Sequence, residues 1–307
     1  MRITTILGTC GFLLAISNVA DVHAQDRKPP QQAVTIERDV EYGSAGERKL
    51  LLDIYRPANA EAGAKKERLA AIVFIHGGGW AAGNKAGGGG LSYFAQTGNY
   101  VGFSIGYRLT GEAIWPAQIE DCKAAIRWIR AHADDYHIDP DRIGLWGPSA
   151  GGHLVSLLGT SSDVKELEGN NGTPGVSTRV ACVVDFCGPA DFLTFRHDAA
   201  NRLFGGRIED HREQARLASP LTHVTPDDPP ILIVHGTDDR TVPISQSEAF
   251  AAALKKAGVD VTFVRIEGGG HGIRSSEARQ RVVRFFEKHL RGQDVEVSGE
   301  PIPSEDP

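Results

Sequence analysis

Short apolar runs alternating with helical patterns constrain what this chain can fold into more than any other feature. The runs occupy residues 50–55, 71–75, 101–105, 142–146, 179–186, 231–235 and 261–266. Each has the length of a strand and is too short for an ordinary helix. Their near-continuous apolar character, rather than strict alternation, marks strands covered on both faces. The pattern therefore predicts a mostly parallel central sheet with helices on both sides. Residues 116–133 open with a proline, which a first helical turn tolerates, and set Ile119, Cys122, Ala125, Ile126 and Ile129 on one stripe. That spacing predicts an amphipathic crossover helix, and residues 244–257 and 275–290 read the same way. At 307 residues, 41% hydrophobic and 23% charged, the chain can bury a large core as one α/β domain.

The two ends differ from this interior. Arg2 precedes an apolar segment at residues 6–16, and Val22-His23-Ala24 precedes Gln25, which is the arrangement of a cleavable secretory signal. The apolar segment is shorter than the roughly 20 residues that a membrane span requires. Residues 1–24 are expected to be a signal peptide, 25–35 a polar leader, 36–292 the folded domain and 293–307 a disordered, proline-broken tail. The mature protein is then secreted or periplasmic, with no membrane association after cleavage. Cleavage removes Cys10 and leaves Cys122, Cys182 and Cys187, an odd number. An extended chain between the last two holds them too far apart to bridge, which predicts buried free thiols. No Cys/His cluster has zinc spacing, so no metal is expected. A net charge of −6 without a Lys/Arg cluster lacks the footprint of a nucleic-acid binder and points to an uncharged substrate, small or polymeric.

The strongest chemical signal is Gly147-Pro148-Ser149-Ala150-Gly151, a G-x-S-x-G pattern between the run at 142–146 and a helical stretch starting at Ala150. A nucleophilic serine on a sharp strand-to-helix turn needs small residues two positions to either side, and Gly147 and Gly151 stand there. Upstream, the run 71–75 leads into His76-Gly77-Gly78-Gly79-Trp80, whose backbone N–H groups suit an oxyanion hole. The expected donors are Gly78 and Gly79 with Ala150, and Gly77 is the close competitor. Gly87-Gly88-Gly89-Gly90 has no strand before it and reads as a flexible loop. A serine needs a base, and His271 qualifies because Gly268-Gly269-Gly270-His271-Gly272 directly follows the last run. His76, His153 and His235 read as structural hydrogen-bonding groups. The base in turn needs a carboxylate lying between serine and histidine in the chain. Asp238 and Asp239 both fit, and spacing does not choose between them. Asp185 and Asp191 read as loop-shaping acids, and Asp121 as a partner of Arg108.

Together His76-Gly77-Gly78-Gly79-Trp80, Tyr107-Arg108-Leu109, Pro116-Ala117, Asp139-Pro140-Asp141-Arg142-Ile143, Gly147-Pro148-Ser149-Ala150-Gly151-Gly152-His153, Asp185-Phe186, Gly188-Pro189, Asp191-Phe192, Asp227-Asp228-Pro229-Pro230 and His235-Gly236 carry a resemblance. The chain resembles the bacterial feruloyl/acetylxylan esterase-like α/β-hydrolases, relatives of the hormone-sensitive-lipase-like esterases, over about residues 36 to 290. The resemblance implies an α/β-hydrolase fold and a triad of Ser149, His271 and an acid. In related hydrolases the acid stands three residues before the Val of a Val-Pro pair, which here selects Asp239 ahead of Val242-Pro243. It also implies a cofactor-independent secreted carboxylic-ester hydrolase working through an acyl-enzyme. The implied substrates are short acyl or hydroxycinnamoyl esters of plant polysaccharide. Trp80 and Tyr107 are candidate pocket walls, with core packing as their competing role. The alternatives on this fold are a peptidase, an arylformamidase and a catalytically silent binding protein.

Overall fold

A computed structural model of the chain describes residues 32–58, 67–162, 164–272 and 275–305. The expected signal peptide and most of the polar leader lie outside these residues. Among the described residues nine strands form one sheet. They are β1 (Val34–Ala45), β2 (Arg48–Pro57), β3 (Leu69–Ile75), β4 (Tyr100–Ile105), β5 (Ile138–Pro148), β6 (Cys182–Phe186), β7 (Ile231–Gly236), β8 (Val261–Glu267) and β9 (Ile302–Pro303). Their spatial order is β1-β2-β4-β3-β5-β6-β7-β8-β9; β2 pairs antiparallel with β1 and with β4, and every other pairing is parallel. Each of the seven apolar runs contributes a strand.

Helices cover both faces, as the two-sided apolar runs require. They are α1 (Leu91–Gln96), α2 (Ala117–Ala131), α3 (Ala150–Thr160), α4 (Asp198–Phe204), α5 (Arg212–Ala218), α6 (Ser245–Ala257) and α7 (Ser276–Arg291). Alternate residues of β3 show the division: Ala71, Val73 and Ile75 enter the core shared with α2, α3 and α6, whereas Ala70, Ile72 and Phe74 enter the core under α1 and α7. The stripe predicted on α2 is fully buried, with Ile119, Cys122, Ala125, Ile126 and Ile129 all inaccessible to solvent. Cys122, Cys182 and Cys187 are free and buried, as expected.

Two strands escaped the sequence reading. Strand β1 is a mostly exposed edge, and register shifts between Glu37 and Val40 and between Glu41 and Gly43 break the period that would have revealed it. Strand β9 corrects the disordered tail expected at 293–307 over its described part, residues 293–305. Ile302 inserts into the α7-side core, Arg281 donates to the carbonyls of Ser298 and Glu300, and Glu305 accepts the Ser276 N–H (2.8 Å) at the start of α7. One buried isoleucine and a carboxylate at a helix N-terminus hold a segment whose composition reads as solvated. The four-glycine stretch is likewise an ordered turn, Lys85–Gly90, with the Asn84 side chain accepting the Ala86 N–H.

Candidate active site

The site lies at the C-terminal ends of β3, β5, β7 and β8, where parallel strands hand the chain to loops. Ser149 sits between β5 and α3 at φ 55°, ψ −119°, a left-handed conformation that is costly for a residue with a Cβ. The turn is held by the Ser149 N–H donating to Phe186 O at 2.7 Å. It exists only because its flanks are glycines. A Cβ on Gly147 would lie 2.6 Å from Ile75 O, and one on Gly151 only 2.1 Å from the same atom.

Ser149 Oγ is 3.0 Å from His271 Nε2, and His271 Nδ1 is 2.7 Å from Asp239 Oδ2. With Nδ1–H donating to the carboxylate, Nε2 presents its lone pair to the hydroxyl, which is the tautomer a general base needs. The structure separates the two neighbouring acids. Asp239 is buried, and its Oδ1 accepts the N–H groups of Thr241 (2.8 Å) and Val242 (2.9 Å). Asp238 is exposed, and among the described residues its side chain meets only the Thr237 hydroxyl. Burial on its own would raise the Asp239 carboxyl; hydrogen bonds from His235, His271, Val242 and Thr241 outweigh it and hold that carboxyl well below the usual carboxylate range.

His235, read from sequence only as structural, is one of these donors. Its Nε2 lies 2.9 Å from Val242 O and 3.2 Å from Asp239 Oδ2, so that nitrogen carries the proton, while Nδ1 meets the Ser247 hydroxyl at 2.7 Å. It meets Oδ2, the same carboxylate oxygen that His271 holds. No local pattern announces this role, because His235 and Ser247 meet only after β7 and α6 pack.

The glycine loop arches over Ser149. Gly78 and Gly79 take φ of 110° and 59°, and a Cβ on Gly78 would lie 2.3 Å from Ala82 O. Among the described residues no protein acceptor takes the N–H of Gly78, Gly79 or Ala150, and all three residues line the cleft that holds Ser149 and His271. His76 and Tyr107 brace this loop from beneath. Tyr107 is corrected as a pocket wall: it is buried, its ring stacks on His76 at 4.3 Å, and its hydroxyl donates to His76 O at 2.9 Å. Trp80 borders the cleft but is almost wholly buried, donating from Nε1 to His153 Nδ1 (3.2 Å) and packing on Phe192. Asp121 pairs with Arg108 (2.7 Å), and Asp185 accepts the Gly188 N–H (2.8 Å), both as expected.

The cleft encloses about 510 Å³. Its far wall is Phe195, His197, Ala199 and Arg202, from the start of α4 and the chain before it, which sequence reasoning left without a role. Cys187, Asp239 and His271 bring possible metal-ligating atoms within 4.8 Å of one another. Burial, with Asp239 adding to it, pushes the Cys187 thiol well above the usual thiol range, and Asp239 and His271 bond to each other.

The BD-FAE family model matches residues 52–254. The chain is 33% identical over 229 residues to the probable carboxylic ester hydrolase LipM of Mycobacterium tuberculosis, covering 71% of this chain and 51% of that protein. It is 31% identical to esterase LipQ of the same organism, covering 80% and 59%. The chain thus spans roughly half to three-fifths of these relatives' length. Among solved structures it is similar to a truncated carbohydrate esterase from gut microbiota, at 32% identity and TM-score 0.72, covering 86% of this chain and 98% of that one. It is also similar to Thermogutta terrifontis esterase 2 phosphoramylated by tabun, at 31% identity and TM-score 0.69, covering 87% and 97%. These neighbours share the α/β-hydrolase fold.

Proposed function

Because the chain belongs to the BD-FAE family, we propose that it is a secreted serine carboxylic-ester hydrolase with Ser149, His271 and Asp239 as its triad. The observation that carries this reading is the continuous line from Ser149 Oγ through His271 to Asp239, at 3.0 and 2.7 Å, under unclaimed backbone donors. His271 Nε2 takes the hydroxyl proton as Oγ attacks the ester carbonyl. The N–H groups of Gly78, Gly79 and Ala150 receive the developing oxyanion, each donor contributing about 3 kcal/mol in such sites. His271 returns its proton to the leaving alcohol, giving an acyl-Ser149, and the same base activates the water that releases the acid. No step calls for a cofactor.

For the substrate we infer short acyl or hydroxycinnamoyl esters of plant polysaccharide. Two features support it: structural neighbours include carbohydrate esterases, and one structure of the Thermogutta enzyme holds propionate. Export rests on residues 1–24 and is tested by sequencing the N-terminus of secreted protein, which should begin at Gln25.

The activity is tested with 4-nitrophenyl acetate and an organophosphate. Wild type should turn over the ester and gain one phosphoryl adduct on the peptide carrying Ser149, and Ser149→Ala should do neither. Equal hydrolysis by both proteins would overturn the assignment.

A further inference from the structure

Among the described residues that line the cleft, Arg202 is the one fixed charge. It is exposed on α4, and among the described residues it pairs with no carboxylate. Its neighbours behave differently. Arg196 and Arg207 both reach Glu209 at 3.5 Å, and Asp198, one turn before Arg202 on the same helix, forms no ion pair with it. A guanidinium left unpaired amid Phe195, Ala199, Val242 and backbone glycines keeps five donors in a planar fork, the geometry that matches a carboxylate. On the same wall His197 Nδ1 accepts the Ala199 N–H at 3.1 Å, which places the imidazole proton on Nε2 as a further donor. Both polar side chains of this wall, Arg202 and His197, offer donors, and among the described residues no carboxylate lines the cleft.

We propose that Arg202 is a specificity-determining residue that selects esters bearing a carboxylate on the acyl or the alcohol side of the scissile bond. This revises the uncharged substrate expected from net charge, because one unpaired cation inside the cleft outweighs a modest charge spread over the surface. The inference rests on the esterase reading above, and the experiment separates the two.

Two substrate pairs are compared in wild type, Arg202→Gln and Arg202→Lys, with enzyme-free rates subtracted. Mono-4-nitrophenyl glutarate against 4-nitrophenyl pentanoate places the charge on the acyl side. 4-Acetoxybenzoate against its methyl ester places it on the alcohol side. The readout is the ratio of kcat/KM within a pair, which general damage to the enzyme does not move. In at least one pair the charged-to-neutral ratio should fall about tenfold from wild type to Arg202→Gln, be partly retained in Arg202→Lys, and shrink in wild type as salt rises from 0.05 to 0.5 M. The pair that responds identifies the side carrying the carboxylate. Identical ratios in wild type and Arg202→Gln for both pairs would overturn the inference while leaving the esterase intact. Failure of wild type to hydrolyse either member of both pairs would overturn both.

Discussion

Asp239 accepts two backbone N–H groups and two imidazoles, whereas Asp238, its chain neighbour, points into solvent. The contrast makes a paired prediction. Asp239→Asn keeps the shape but offers an amide N–H to His271 Nδ1, favouring the tautomer whose Nε2 cannot accept the serine proton. The value of kcat should fall by roughly 10³–10⁴. Asp238→Asn should stay within about twofold of wild type, since surface changes away from such networks have small effects. Steady-state kinetics of the two variants decide it, and the reverse ranking would reassign the acid. His235 belongs to the same scale: a histidine that sequence assigns to structure bonds directly to the carboxylate that orients the base.

At the scale of elements, the apolar runs and the α2 stripe were legible because burial on both faces imposes hydrophobicity, and hydrophobicity is written residue by residue. Strand β9 was not, because its pairing with β8 rests on one inserted side chain and on partners supplied by α7. Ile302→Ala removes that insertion and should lower unfolding free energy by about 2 kcal/mol, near the low end for buried isoleucine at an edge. Activity on 4-nitrophenyl acetate should be unaffected. Denaturant titration measures the loss, and an unchanged midpoint would mean that the tail contributes nothing to the fold.

Across the whole molecule, burial holds several histidines neutral. His153 is fully buried between Trp80 and Ala218 O, and desolvation pulls it down to about 4, against which the Ala218 carbonyl bond works only partly. His76, His223 and His289 are lowered for the same first reason. Below pH 6.5 the unfolded chain binds more protons at these sites than the folded chain, so stability falls as pH drops, for His153 from about 6.5 toward 4. The slope from His153 alone approaches about 1.4 kcal/mol per pH unit and flattens below its folded value. Urea midpoints at pH 7.5, 6 and 4.5 should decline in that order, and a flat series would contradict the neutral assignment.

By itself the sequence determined the sheet, the serine turn and the glycine loop, because each follows from local chemistry: apolar runs for buried strands, and glycine where a Cβ would strike Ile75 O or Ala82 O. It also brought Ser149 and His271 into view through the segments that carry them. Only the tertiary structure decided which acid reaches the histidine, that Tyr107 braces the loop instead of lining the pocket, and that Arg202 stands unpaired in the cleft. Those facts depend on the direction in which a side chain leaves a packed element and on what lies across from it. Spacing along a chain carries no record of that direction.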